Sequence, residues 1–352
     1  MRYNKERIAL LTTVQGIVKG RINMDRIDVA VIGVALMDLP LGPLDEQVFQ
    51  KETVIVPEIK LTTGGDALNE AVILSRLGKK SALMSRIGTD MLGDLLVKRC
   101  EDEGVDHSRL QRDPQTDTRI NVVVIGKDGQ RHFVKTTGAG SASLEPEDID
   151  YGFIAGAKSI SLASLFCSRL KNPGTVLKIL KEARAHSVAT FADMVPMTGG
   201  ETIRDIGEAL SYLDYFLPNK EEASLLTGLS DPDEMADQLL SYGPGNVIIK
   251  LGPEGCLVKN REERYRIPAF SVDAVDTTGA GDNFAAGFIT AVLDGMKLEE
   301  CGIFASAVAA VSTEAVGATE AVTDKNQVME FLLKNKSEQA YRPIERDRIE
   351  PR

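Results

Sequence analysis

A glycine-rich segment in the last third of the chain combines an anion-binding backbone with a carboxylate. Residues 276–284 read DTTGAGDNF and open an apolar run with helical spacing. Gly279 and Gly281 allow a tight turn that directs successive N–H groups at one point. A helix that begins near Asp282 adds the positive end of its dipole there, which suits a phosphoryl group in transfer, and Asp282 can deprotonate a hydroxyl. The same residues also suit a plain glycine turn with an Asp cap.

A second glycine turn lies in the first quarter of the chain. Residues 62–78 read TTGGDALNEAVILSRLG, which predicts a strand end, a diglycine turn and a helix. Gly64 and Gly65 let a ligand approach the backbone closely, and Asn69 in the first helical turn offers a donor and an acceptor to ligand hydroxyls. Alone, this pattern is also that of an ordinary helix entry.

Together the two segments resemble the paired signatures of the PfkB carbohydrate kinases, in the ribokinase-like superfamily. Gly64, Gly65, Asn69 and Ala71 match the first signature, Gly-Gly-x-x-x-Asn-x-Ala, and residues 276–284 match the second, Asp-Thr-x-Gly-Ala-Gly-Asp-x-Phe. Their order and their separation of roughly two hundred residues make the pair more specific than either motif. The resemblance runs from about residue 27 to about residue 331.

The resemblance implies an α/β fold, the ribokinase-like three-layer αβα sandwich with a central, mostly parallel sheet and a small antiparallel β lid. It implies transfer of the ATP γ-phosphoryl group to a hydroxymethyl group of a sugar, as in ribokinases and fructokinases. Asp282 would act as the base, and the amides of Gly279, Ala280 and Gly281 would surround the developing charge. A nucleoside kinase of the same family and a catalytically silent sugar-sensing protein are the alternatives.

On the acceptor side, the resemblance assigns Asp38, at the predicted end of the first strand, to the sugar hydroxyls. Gly64, Gly65 and Asn69 complete this pocket. A charged acceptor at a strand end is costly unless it is paired, which favours a ligand role for Asp38.

The acceptor pocket also departs from that of ribokinases. Val34 and Leu36 stand where ribokinases usually have Ser and Asn, and residues 66–67 are Asp-Ala instead of Lys-Gly. The additional carboxylate disfavours a sugar acid or phosphosugar, because like charges repel. Ribose, fructose, a ketodeoxy sugar acid and a nucleoside all remain candidate acceptors.

On the donor side, the resemblance implies nucleotide contacts from Asn219, Lys250, Gly252, Gly255 and Gly317. Lys250 replaces the Thr or Ser that the family usually carries, which adds a charge for phosphates. The two glycines that follow it would also occur in an ordinary turn.

Two cations follow from the same resemblance. Glu222 would position magnesium through water, since Mg²⁺ prefers oxygen ligands and keeps most of its waters. Asp276 and Thr278 match positions that contact a monovalent cation such as potassium. Glu222 also fits an acidic first helical turn without a ligand.

The elements that must position these residues alternate along the chain. Short β-branched runs at 29–34, 81–85, 159–162, 188–191, 215–217 and 247–249 predict buried strands, and patterns such as 93–103 and 176–185 predict helices between them. This alternation predicts a parallel sheet with helices on both faces and ligands beyond the carboxyl ends of its strands.

Two further segments predict lid strands, at about 48–63 and 117–137. The second reads as a hairpin that turns at 127–130. Its alternating apolar residues would need cover, so a homodimer through the lid strands is expected, with a monomer as the alternative.

Composition sets the remaining limits. The net charge of −11 excludes nucleic acid as the main partner, since phosphate backbones are bound by basic patches. The four cysteines have no CxxC spacing, and the three histidines form no metal-ligand pattern. No run is long and apolar enough for a membrane span. A cytoplasmic enzyme with a small-molecule sugar or nucleoside acceptor is expected.

The domain boundaries are predicted from the extent of the resemblance. Residues 1–26 form a basic N-terminal extension, 27–333 the kinase domain, and 334–352 a charged C-terminal tail that is expected to be solvated. Neither terminal segment has an assigned role.

Overall fold

The protein is described by a computed structural model over residues 26–127, 131–135, 142–166, 170, 172–195, 202–341 and 345–348. The predicted turn residues 128–130, most of the N-terminal extension and Cys167 lie outside these ranges.

A large sheet of ten strands forms the centre of the described part of the chain. Its order is β15-β14-β13-β12-β11-β10-β9-β1-β5-β6. The strands are β1 Val29–Ile32, β5 Ser81–Gly88, β6 Asp106–Asp113, β9 Ser159–Leu165, β10 Ala189–Met194, β11 Tyr215–Phe216, β12 Asn246–Lys250, β13 Cys256–Lys259, β14 Glu263–Ile267 and β15 Glu345–Arg348. All neighbours from β6 to β12 are parallel, and the pairs from β12 to β15 are antiparallel. The mostly parallel sheet predicted from the alternating runs is confirmed.

Helices cover both faces of this sheet. They are α1 Asp66–Arg76, α2 Met91–Asp102, α3 Tyr151–Gly156, α4 Pro173–Ala185, α5 Ile203–Leu210, α6 Lys220–Thr227, α7 Pro232–Ser241, α8 Ala280–Leu293, α9 Leu298–Ser312 and α10 Lys325–Tyr341. One core cluster joins α1, α8 and α9 to one face, and another joins α3 to α7 to the other face. Because each face buries its own apolar core, the structure has the three predicted layers.

A smaller sheet projects from the strand ends. It contains β2 Leu36–Leu44, β3 Glu58–Ile59, β4 Thr62–Gly64, β7 Ile120–Gly126 and β8 Arg131–Lys135. The pairs β2/β3, β2/β4 and β7/β8 are antiparallel, whereas β2 and β7 run parallel. The hairpin β7/β8 agrees with the predicted lid segment 117–137.

The lid strand β3 and most of β4 lie within the predicted segment 48–63, but a longer lid strand lies outside it. The long lid strand is β2, which precedes that segment, and Glu46–Gln50 is a 3-10 helix. The sequence obscures β2 because Pro40 and Pro43 lie within it, and proline usually argues against a strand. Strand β2 lies between β7 on one side and β3 and β4 on the other, and its pairings with β3 and β4 at 41–42 and 36–38 leave out both prolines.

The C-terminal segment is more ordered than its charge suggests. Helix α10 continues past residue 334 to Tyr341, and β15 pairs with β14 at the edge of the central sheet. Residues 334–341 and 345–348 of the predicted tail therefore lie in a helix and a strand, and the expected solvation of the tail stays a prediction. Charged residues suit both elements because an edge strand and a surface helix each keep one side in water.

Candidate active site

The diglycine turn is shaped by a close approach between two backbones. Gly64 ends β4, and Gly65 caps α1 with φ 96°. A β-carbon on Gly65 would lie 2.6 Å from the Val34 carbonyl oxygen. Only glycine satisfies both the positive φ and the contact, so Asn69 is fixed in the first turn of α1.

The second glycine segment forms the N-terminus of α8. Gly279 caps the helix with φ 72°, and a β-carbon there would lie 2.7 Å from the carbonyl oxygen of Ala318. Helix α8 begins at Ala280, so Asp282 lies in its first turn, where N–H groups lack intrahelical partners. The N–H of Ala280 makes a long 3.3 Å bond to Thr277 O. The anion cradle predicted at 279–282 thus has the helix start that it requires.

A direct hydrogen bond joins the two signatures. Asn69 Nδ2 donates to Asp282 Oδ2 at 2.7 Å, across 213 residues of sequence. Helices α1 and α8 share one core, which holds their N-terminal turns together. The amide and the carboxylate that the sequence predicted for the acceptor and the catalytic step therefore lie at one point.

Asp282 lies in a strongly anionic environment. Burial raises its pKa well above the usual range, the neighbouring charge of Asp66 raises it further, and the bond from Asn69 opposes the shift. A carboxyl with a raised pKa is a stronger base once ionised.

Asp38 lies in the lid and not at the end of the first strand. Strand β1 ends at Ile32, and Asp38 is the third residue of β2, so the predicted location is wrong while the nearness to Gly64 is right. A β-carbon on Gly64 would overlap Asp38 Oδ2. The chain turns back after Gly33, where any β-carbon would contact Ser164 Oγ at 2.7 Å.

Asp38 carries an unsatisfied oxygen. Its Oδ1 is buried and has no hydrogen-bond partner among the residues that the structure describes. Burial raises the pKa of Asp38 to about 6, against a hydrogen bond from Asn121. An orphaned buried acceptor is costly, which suits an oxygen that receives a ligand hydroxyl.

Asp66, the first residue of α1, brings a further carboxylate to the same place. Its Oδ2 accepts a 3.0 Å hydrogen bond from Ser164 Oγ at the end of β9. Burial raises the pKa of Asp66, and the charge of Asp193 raises it further. The structure therefore places the additional carboxylate of Asp66 beside the predicted acceptor pocket, as expected.

Asn219 and Glu222 form a reciprocal cap on α6. Asn219 Oδ1 accepts from the Glu222 N–H at 2.9 Å, and Glu222 Oε2 accepts from the Asn219 N–H at 2.8 Å. Glu222 is buried, and burial raises its pKa to about 7. The capping box alone accounts for the spacing of Asn219 and Glu222. A cap does not require a buried carboxylate, however, so the burial of Glu222 needs a further explanation.

Lys250, the last residue of β12, is buried in an ion pair with Asp193 from β10. Burial opposes its charge, but Asp193 and Glu222 outweigh burial and raise its pKa. Its Nζ lies 3.4 Å from the point where Gly281 would carry a β-carbon. Lys250 therefore reaches the anion cradle.

The turn after Lys250 has the predicted backbone geometry. Gly252 has φ 58° and begins a 3-10 helix that ends at Glu254, and Gly255 has φ 93°. A β-carbon on Gly255 would overlap the carbonyl oxygen of Ile267. Packing against β14 explains Gly255 without a nucleotide.

Asp276 closes the loop that precedes α8. Its Oδ1 accepts from the Thr278 N–H at 2.9 Å and from Thr278 Oγ1 at 2.7 Å, and its Oδ2 accepts from the Gly317 N–H at 2.9 Å. The predicted cation position and Gly317 are thus joined in one hydrogen-bonded unit beside Gly279.

Two buried carboxyls at the site escaped prediction. Asp193 is the last residue but one of the buried strand β10 and pairs with Lys250 57 residues later. Glu70 lies beside Asn69, is fully buried, and accepts from Ser161 Oγ at 2.7 Å. A lone acidic residue inside an apolar run is the one signal that sequence offers for either, because both pairings are long-range.

Neither a clustered metal centre nor a membrane helix is found in the described ranges. These residues contain no group of three or more His, Cys, Asp and Glu side chains arranged to hold a metal ion. Their helices are all too short or too polar to cross a bilayer.

Comparisons with known proteins agree on one family. The model of the pfkB family carbohydrate kinases matches residues 26–325. A ribokinase from Haemophilus influenzae is 29% identical over 80% of this chain and 90% of its own length. A deoxyribokinase from Salmonella typhi is 27% identical over 88% of this chain and 99% of its own. The crystal structure of a ribokinase from Thermotoga maritima has a TM-score of 0.74 and 29% identity, and covers 87% of this chain and 99% of that one.

The family match spans the central sheet except β15, together with the lid and both glycine signatures. It confirms the predicted fold class and the predicted kinase class. The chain therefore belongs to the pfkB family of carbohydrate kinases, which are ATP-dependent phosphotransferases.

Proposed function

We propose that the site transfers the ATP γ-phosphoryl group in line to a hydroxymethyl oxygen of a sugar held between β2 and the N-terminus of α1. The observation that carries this proposal is the 2.7 Å bond from Asn69 Nδ2 to Asp282 Oδ2. It joins an acceptor-binding amide to a base beside an anion cradle. Asp282 orients the hydroxyl and takes its proton, while the amides of Gly279, Ala280 and Gly281 face the developing charge.

The acceptor is a sugar that offers several hydroxyl donors. The unsatisfied Asp38 Oδ1 receives one hydroxyl, and Asn69 receives another, with Gly64 and Gly65 leaving room for the ring. Asp66 adds negative charge and disfavours anionic sugars. The names of the ribokinase and deoxyribokinase relatives favour a pentose. A nucleoside kinase remains the second reading, since the same site would accept the ribose of a nucleoside.

The donor lies over the carboxyl ends of β11 and β12. Gly252 and Gly255 shape the turn, Lys250 and Asn219 face the phosphates, and Gly317 borders the base. Magnesium screens the triphosphate charge when it is bound. Glu222 fits an outer position through water, because one buried carboxylate is available there and the nucleotide supplies the other oxygens.

A monovalent cation is proposed near Asp276 and Thr278. Their hydrogen bonds tie the loop before α8 to Gly317, so a cation there would stiffen the cradle. Replacing potassium by sodium at constant ionic strength should lower kcat. An identical rate in both salts would reject this role.

Two properties of the whole protein complete the proposal. Exposed apolar side chains on the lid favour a homodimer in which a second copy covers them. A cytoplasmic location suits a kinase that uses ATP, and cell fractionation with an activity assay tests it.

The proposed activity is tested by ADP release from magnesium ATP. The panel contains ribose, fructose, 2-keto-3-deoxygluconate, adenosine, inosine and pseudouridine, with wild type and Asp282→Asn in parallel. Turnover on a sugar that disappears in the variant supports the proposal, and turnover on a nucleoside alone selects the second reading. Binding of a panel sugar without turnover on any acceptor would select a sugar-sensing protein.

A further inference from the structure

Lys250 lies deeper in the structure than a contact with a bound nucleotide requires. Its ammonium is buried, with its side chain 12% exposed, and it lies beside Gly281 in the cradle and not out on the Gly252 turn. A buried ammonium is costly to desolvate unless it is paired. Its position at the helix start therefore needs a partner that holds it there.

Asp193 is that partner, and its geometry is constrained on both oxygens. Oδ2 accepts from Lys250 Nζ, while Oδ1 accepts from the Met194 N–H at 2.8 Å. The carboxylate is 6% exposed and sits at the carboxyl end of β10. Strand β11 separates β10 from β12 in the sheet, so the pair spans that strand beneath the cradle.

The surroundings of the ammonium are otherwise anionic. Acidic groups from three more elements act on it or are acted on by its charge, namely Asp66 and Glu70 on α1, Glu222 on α6 and Asp282 on α8. Asp193 is the only one of these that the described residues show bonded to Nζ. Nζ also lies 3.4 Å from the point where Gly281 would carry a β-carbon, next to Asp282, so it is close to the path of the transferred group when Asp282 is the base.

We propose that Lys250 stabilises the charge of the phosphoryl group during its transfer, and that Asp193 is a positioning residue that fixes the Lys250 ammonium at the start of α8. The inference rests on the kinase activity proposed above. It differs from simple nucleotide binding because the stabilisation is strongest in the transition state and so acts on kcat.

The test compares kcat and KM for ATP in Lys250→Met, Lys250→Arg, Asp193→Asn and the double variant Asp193→Asn/Lys250→Met. Lys250→Met should lower kcat by roughly 10²- to 10³-fold with KM for ATP changed less than about threefold, as when one charge-stabilising donor is lost. Lys250→Arg should recover part of that loss. Asp193→Asn should lower kcat by about tenfold, and the double variant should be no slower than Lys250→Met.

A pH profile separates positioning from mere support of the fold. Without Asp193 the ammonium loses the partner that raises its pKa, so the alkaline limb of kcat in Asp193→Asn should move to lower pH than in wild type. A structural defect would lower the profile without moving this limb.

A matched control exists in the same sheet. Lys259 is also buried and pairs with Asp233 and Asp237, but its strand neighbour is Val247, at the opposite end of β12 from Lys250. Lys259→Met should lose thermal stability and keep kcat.

Three results would overturn the inference. They are an unchanged kcat with a raised KM for ATP in Lys250→Met, additive losses in the double variant, or a pH profile that Asp193→Asn leaves in place. Each is distinct from failure of the proposed activity, which would appear as a wild type without turnover or as an active Asp282→Asn.

Discussion

Asp282 is a half-buried carboxylate whose environment is set by two neighbours from a distant part of the chain, Asp66 and Asn69. Burial and the charge of Asp66 raise its pKa, while Asn69 holds one of its oxygens. As the proposed base, Asp282 must lose its proton before it can act, so activity should fall on the acid side of its pKa.

Asp66→Asn tests this electrostatic link. Removing the neighbouring charge lowers the pKa of Asp282, so the acid limb of kcat/KM should move to lower pH. The measurement is a pH–rate profile of wild type and Asp66→Asn. Asp102→Asn, on the surface of α2, is the control and should leave the acid limb unchanged. A limb that stays fixed or moves upward in Asp66→Asn would contradict the assignment of the base.

Asp38 should show opposite effects on stability and on binding. Its pKa is about 6 in the fold against an ordinary 3.8. As pH rises from about 4 to about 6, the unfolded chain releases this proton more readily, so the free energy of unfolding falls. Asp38→Asn should therefore stabilise the ligand-free protein at pH 8, by up to roughly 3 kcal/mol, and show little difference at pH 3.5.

Thermal melts from pH 3.5 to 8, with and without the acceptor, check this expectation. The acceptor should raise Tm in wild type and fail to do so in Asp38→Asn. A variant that is less stable than wild type at pH 8 would show that Asp38 has a structural partner.

Some residues of the site could not be found from sequence alone. Asn69 and Asp282 carry motif spacing and were predicted together, and the fold joins them. Asp193 and Glu70 are isolated acidic residues among apolar ones. Asp193 pairs with Lys250 and Glu70 with Ser161, and both partners are distant in sequence. Pairing across a sheet follows from strand order, which local patterns do not specify.

At the scale of elements, the start of α8 is the most constrained feature. Gly279→Ala would introduce a β-carbon at φ 72° and within 2.7 Å of Ala318. The substitution should distort the cradle and lower kcat by at least about tenfold, in addition to roughly 1–2 kcal/mol of backbone strain.

Gly295→Ala is the matched control at the other end of the same helix. Gly295 has φ 75° with nothing within 4 Å of its missing β-carbon. Gly295→Ala should lower the free energy of unfolding in urea by a similar amount and leave kcat unchanged. Equal activity losses in the two variants would mean that the cradle geometry does not depend on Gly279.

Local sequence patterns predict the strands of the central sheet better than those of the lid and the sheet edge. Short buried runs that are mostly apolar predict β1, β5, β9, β10 and β12 because strands of a parallel sheet are buried on both faces. Strand β2 was missed because it is half-exposed and contains two prolines, and β15 because it is charged. Lid and edge strands depend on their neighbours more than on their own residues.

At the scale of the whole molecule, the lid leaves apolar side chains in solvent. Phe49 and Ile55 are more than 90% exposed, and Ile59, Phe133 and Val134 are at least half exposed. Such a surface on the small sheet and on the segment between β2 and β3 favours a partner.

We expect a homodimer that Phe133→Asp weakens. Light scattering after size exclusion should give about twice 38.1 kDa for wild type and a smaller mass for the variant at low micromolar concentration. Leu225→Asp, which changes an exposed residue of α6, is the control. A wild type that is monomeric at all concentrations would reject the lid dimer.

The most direct test of the account is single-turnover phosphoryl transfer by Asp282→Asn with the acceptor that the panel identifies. The transfer rate should fall by roughly 10³-fold or more while the acceptor still stabilises the variant against heating, because the proposed base is lost and the pocket is kept. A variant that binds the acceptor and transfers phosphate within about tenfold of the wild-type rate would contradict the assignment of Asp282 and the site built around it.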